Sequence, residues 1–165
     1  MKTTFIAIVG AALLASHADT VRQSKTGSLQ GVWQTVEIAI AGANPRTITV
    51  ADPRQYLTII TSKYYSRTEV QAEGARPILV DSSKASADEL RAVWGPFVAE
   101  AGTYEVSGNT VTMHPQASKS PAAMAPGAFI ISTFKMDGNT LWLAQQRNQA
   151  GPYANPVTFK LVRVE

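Results

Sequence analysis

Short runs of alternating residues, separated by tight-turn dipeptides, set the strongest limit on what this chain folds into. Ala128 to Met136 and Thr140 to Gln146 flank Asp137-Gly138-Asn139, a turn whose residues accept the positive φ angles a hairpin demands. Thr103 to Ser107 and Thr110 to His114 flank Gly108-Asn109 in the same way, and Tyr56 to Ile60 and Tyr64 to Val70 are separated by the polar Thr61-Ser62-Lys63. Gln34 to Ile40, in which Val36, Ile38 and Ile40 alternate with polar or small residues, opens the series, and Val157 to Glu165 ends it. One helix interrupts this pattern: Ser86-x-x-Glu89 has capping-box spacing, and Leu90, Val93, Trp94 and Phe97 follow at helical spacing across Gly95-Pro96. The remaining segments, 42–53, 72–85, 115–127 and 147–156, read as loops. Asp88 and Glu89 complement the helix dipole and are assigned no catalytic role.

Eight short strands joined mostly by hairpins specify an all-β fold, a sandwich or an antiparallel barrel. An eight-stranded up-and-down barrel with one short α-helix is the preferred solution because closure removes exposed edges. The composition, 45% hydrophobic and 16% charged, belongs to a chain with a packed core. The absence of Cys excludes a disulfide framework, a thiolate nucleophile and a zinc-thiolate site. The formal charge of +3 is spread along the chain without a Lys/Arg run, so neither nucleic acid nor a polybasic membrane contact is indicated. At the N-terminus, Lys2 precedes the apolar run Phe5 to Ala15, which ends in Ser16-His17-Ala18. That run falls well short of the roughly 20 residues of a membrane span and has the form of a secretory signal. The expectation is therefore a signal over residues 1–18, export to the periplasm or the exterior, no membrane anchor after cleavage, and a single domain over 19–165.

Four pieces of the sequence carry a family likeness: Leu29-x-Gly31-x-Trp33, Ala101-Gly-Thr-Tyr-Glu-Val106 leading to the Gly-Asn turn, Met136-Asp-Gly-Asn-Thr-Leu141, and Leu161-Val-Arg163-Val-Glu165. In this order and spacing the chain resembles the bacterial and fungal lipocalin-like domain family, of calycin type, over the whole of 19–165. It departs from the family pattern at Thr61-Ser62-Lys63, where relatives carry a Tyr-x-x-Asp-Gly turn, and at Met113, where a second His is common. The second departure argues against a metal held by paired histidines. The resemblance implies a small up-and-down barrel closed by a short helix, with a cavity for one hydrophobic or amphipathic small molecule; no cofactor is expected. It also implies that Trp33 packs under Arg163 to close the barrel, a contact worth about 0.5–2 kcal/mol.

The residues expected to touch a ligand are Tyr65, Arg67, Trp94, Tyr104, His114, Phe129 and Trp142. Period two places Tyr65, Arg67 and Glu69 on one face of their strand and Tyr64, Ser66 and Thr68 on the other. Turned outward, Arg67 and Glu69 form a solvated rim. Turned inward, Arg67 must meet a carboxylate, a partner side chain or a bound anion, and in the last case it would orient the acidic head of a fatty or aromatic acid. The leading functional expectation is a non-enzymatic binding protein. The alternative is a cyclase- or isomerase-type enzyme using His114, Tyr65 and Arg67, with no Gly-x-Ser-x-Gly nucleophile elbow in the chain.

Overall fold

The computed structural model describes residues 28–72 and 74–165; the signal expected over residues 1–18 lies outside them. The described chain forms β1 (Gly31–Ile40), β2 (Arg46–Thr49), β3 (Tyr56–Ile60), β4 (Tyr64–Val70), α1 (Ala87–Trp94), β5 (Phe97–Ser107), β6 (Thr110–Ser118), β7 (Ile130–Asp137), β8 (Thr140–Asn148), β9 (Gly151–Pro152) and β10 (Val157–Arg163). Strands β1, β3 to β8 and β10 are successive antiparallel neighbours, and β10 pairs with both β8 and β1. The sheet is thereby a closed, eight-stranded, up-and-down barrel with one α-helix, the lipocalin-like architecture. Strand β2 folds back on the end of β1, and β9 on the end of β8.

Local irregularities reconcile the sequence with closure. Trp33 and Thr35 are odd-numbered and Ile38 is even, yet all three are buried, because the β1–β10 register shifts between Thr35 and Glu37 with Val36 as the extra residue. Strand β5 starts at Phe97 rather than Thr103, since Phe97 to Thr103 pair continuously with Val70 to Tyr64 and so override the weak strand preference of the intervening alanines. Strand β6 runs past His114 through Pro115 to Ser118; the missing proline N–H is accommodated beside a register shift at Ala101/Gly102.

The barrel has two different ends. At one, tight turns join β3 to β4, β5 to β6 and β7 to β8. Here Trp33 is fully buried and its Nε1 donates to the Leu29 carbonyl at 2.9 Å. The Arg163 guanidinium lies 4.1 Å above the indole centroid and donates to the carbonyls of Ser28 (2.7 Å) and Gln30. Gly31 sits at φ +144°, and a Cβ there would run into the Arg163 guanidinium, which is why glycine stands between Leu29 and Trp33. At the other end, the longer connections 41–55, 71–96, 119–129 and 149–156 surround a wide mouth.

Helix α1 belongs to this wide end. The expected capping box is present: Ser86 Oγ accepts from the Glu89 N–H at 3.2 Å, and Glu89 Oε2 accepts from the Ser86 N–H at 2.8 Å. The helix buries no residue fully and is tied to the barrel through its C-terminus. Lys119 Nζ donates to the carbonyls of Trp94 and Gly95 (2.9 Å), acceptors that a helix end leaves open, and to that of Phe97 (2.8 Å) at the start of β5. No helix among the described residues is long and apolar enough to cross a membrane.

Candidate functional site: the barrel interior and its mouth

Inward-facing residues change character along the barrel axis. Toward the tight-turn end the lining is apolar, with Val111, Leu141 and Leu161 almost completely buried. Toward the mouth it becomes polar and charged, with Arg67, Glu69, Glu100 and Gln145 around a cavity of only about 30 Å³. Arg67 retains 20% of its side-chain exposure, whereas Glu69 retains 1%.

The charged residues are tightly organised. Arg67 points inward and meets the carboxylate it requires two residues away: Nε donates to Glu69 Oε1 at 2.6 Å and Nη2 to Glu69 Oε2 at 2.8 Å. Gln71 Nε2 adds a third bond to Glu69 at 2.8 Å, and the Arg67 guanidinium lies 4.3 Å above the Phe159 ring. On the adjacent strand β5, Glu100 is the register partner of Arg67, and its Oε1 accepts from the Tyr65 hydroxyl at 2.9 Å. Burial, reinforced by the Glu100 charge and hydrogen bond, pushes the Tyr65 phenol well above the usual tyrosine range, so it remains a neutral donor. Ser132 Oγ is buried with no hydrogen-bond partner. Tyr56 and Tyr153 are both raised by burial; Glu69 adds to the first effect, and Glu100 contributes to the second.

Beyond this cluster, the mouth carries a groove of about 720 Å³ between α1, the 74–78 segment and the rim of β3 and β4. Tyr56, Val70, Ile78, Trp94 and Phe97 supply its apolar wall. Trp94 meets Phe97 edge-on at 6.2 Å and remains 53% exposed, while Ile78 is 92% exposed. The rim also holds Arg76, whose Nη1 donates to the Val93 carbonyl at 3.2 Å, and Asp52. The Arg54 side chain beside Asp52, with Gln55, holds that carboxyl at about 2.

The structure therefore distributes the sequence candidates over several places. Tyr65 and Arg67 share the interior, and Trp94 lines the groove. Phe129 borders a separate recess of about 170 Å³ with Tyr153, under the Arg147 guanidinium at 5.8 Å. Tyr104 packs against the core near the opposite end, its hydroxyl donating to the Thr61 carbonyl at 2.7 Å. His114 alternates outward from buried Met113, so it does not converge with Tyr65 and Arg67 as the enzyme reading requires. Trp142, between inward Leu141 and Leu143, also faces outward, under Lys135 Nζ at 5.6 Å. A shared lining of Tyr65, Tyr104, Phe129 and Trp142 is thus replaced by a polar interior with aromatic residues at its mouth.

Glu100, Gln145, Ser132 and Phe159 complete the interior and were not among the candidates. Their signal is period two: Glu100 shares parity with Gly102 once β5 is extended, and Ser132 with Ile130 and Phe134. No cluster of three or more His, Cys, Asp or Glu suited to a metal ion occurs among the described residues.

No family model matches the sequence, and neither does any curated protein. Among solved structures, the chain is similar to a lipocalin-like protein from Bacteroides uniformis, with 11% identity and a TM-score of 0.45 over 83% of this chain and 99% of that one. It is also similar to an uncharacterized protein from Bacteroides eggerthii, with 6% identity and a TM-score of 0.43 over 82% and 99% of the respective chains. In strand order and closure, this protein is a closed, eight-stranded, up-and-down antiparallel barrel, consistent with a lipocalin-like fold.

Proposed function

We propose that this protein binds a small amphipathic molecule at the wide end of the barrel, with the apolar body in the groove beside α1 and the polar end toward the interior cluster. The groove carries the reading. Its volume of about 720 Å³ suits a small ligand, and Trp94 and Ile78 hold apolar surface that no described residue covers. The interior itself, with about 30 Å³ free, takes an end group and not a whole ligand.

The neutral fluorescent probe N-phenyl-1-naphthylamine tests this proposal. Saturable binding is expected at micromolar concentration, with Trp94→Ala weakening it about tenfold. Absence of saturable binding removes the ligand-binding reading. The proposal includes export, supported by the Lys2, Phe5 to Ala15 and Ser16-x-Ala18 pattern. Protein recovered outside the cytoplasm should have a mass lacking residues 1–18, and recovery of the full-length chain alone would contradict it.

A further inference from the structure

We infer that the interior cluster is built to receive a protonated amine, with Glu100 as the recognition residue. This inference rests on the ligand-binding reading above and adds the chemistry of the ligand's polar end.

Three charged side chains line the cavity: Arg67, Glu69 and Glu100. The Arg67 fork is committed to both oxygens of Glu69, and its flat face to Phe159. Gln71 occupies a further acceptor site on Glu69. That pair is self-contained. Glu100, the cross-strand neighbour of Arg67, makes no ion pair among the described residues and receives one hydrogen bond, from the Tyr65 hydroxyl. Among the described residues, the cavity lining thus holds two carboxyl groups for one guanidinium.

A second acceptor accompanies Glu100. Ser132 Oγ, on a residue 1% exposed, lines the same cavity without a partner, and Gln145 lies in the same wall. An ammonium group brings several N–H donors, matching a carboxylate oxygen, a hydroxyl and an amide oxygen. The free space is about the size of a water molecule or an ammonium head. A carboxylate head is larger and would enter beside Glu69 and Glu100, where like charges repel. Although Arg67 faces inward, its guanidinium is already neutralised, so the acidic head group expected for an inward arginine is replaced by a basic one.

Titration calorimetry with n-decylamine, n-decanol and decanoate, each below its aggregation limit at neutral pH, tests the inference. The amine is expected to bind about tenfold more tightly than the alcohol, with the acid weakest. Glu100→Gln, which can still accept from Tyr65, should bring the amine to the level of the alcohol and leave the alcohol unchanged. Equal affinity for amine and alcohol, or preference for the acid, overturns the inference. So does an equal loss for all three ligands in Glu100→Gln. The wild-type ranking needs no variant and stands if Glu100→Gln fails to fold. Saturable binding of N-phenyl-1-naphthylamine without an amine preference sinks the head-group assignment alone, whereas no binding of any of these molecules sinks the ligand-binding reading with it.

Discussion

Glu69 holds Arg67 in a two-point grip inside the barrel, with both carboxylate oxygens engaged at 2.6 and 2.8 Å although the residues are only two positions apart on one strand. The Glu69 side chain is 1% exposed, so loss of its partner leaves a desolvated charge. Arg67→Met is expected to cost about 3–5 kcal/mol in urea unfolding. The double variant Arg67→Met/Glu69→Leu should be more stable than Arg67→Met, because it removes the orphaned carboxylate. A double variant as unstable as the sum of its parts would show that the pair is not coupled in this way.

Tyr65 gives the barrel an alkaline limit. Its phenol is held above the ordinary value of 10.0, first by burial and then by Glu100, so folding favours the protonated form. The resulting stabilisation is complete below the unfolded-state value and declines as pH rises above it. The cost of Tyr65→Phe, measured by urea unfolding, should therefore be larger at about pH 8 than at about pH 11. An unchanged gap between these pH values would sink the assignment.

Trp33 and Arg163 act together at the tight-turn end. With the indole fully buried, Trp33→Ala should destabilise the barrel by about 3–5 kcal/mol. Arg163→Ala should cost less, since it removes the cation above the ring and its bonds to the carbonyls of Ser28 and Gln30. A double-mutant cycle should show about 0.5–2 kcal/mol of coupling between the two side chains. Strict additivity would mean that the stacked geometry contributes nothing.

Lys119 is expected to control the wall of the groove. Lys119→Met removes the donor shared by the carbonyls of Trp94, Gly95 and Phe97, so α1 should open locally while the barrel persists. Hydrogen exchange should show amides of Ala87–Trp94 losing about 1 kcal/mol of protection, with those of β8 and β10 unchanged. Equal loss throughout the molecule would make Lys119 a global stabiliser instead.

The eight barrel strands and the capped helix were legible in the chain because hairpin turns and side-chain alternation are local properties. The Gly138-Asn139 turn needs little beyond its own residues, and the Ser86/Glu89 box closes within one helical turn. The sequence also placed Arg67 and Glu69 on one face, and it carried the condition that an inward arginine requires a carboxylate. Tertiary structure alone decided that this face turns inward, since the choice depends on pairing β4 with β3 and β5. It likewise brought Glu100 opposite Arg67 and Ser132 to the same cavity across strands remote in sequence. Closure decided the rest: once β10 joined β8 to β1, alternation sent His114 and Trp142 to the outer wall, where no local pattern had assigned them. Periodicity determines which residues share a face, and only the closed sheet determines which face is the inside.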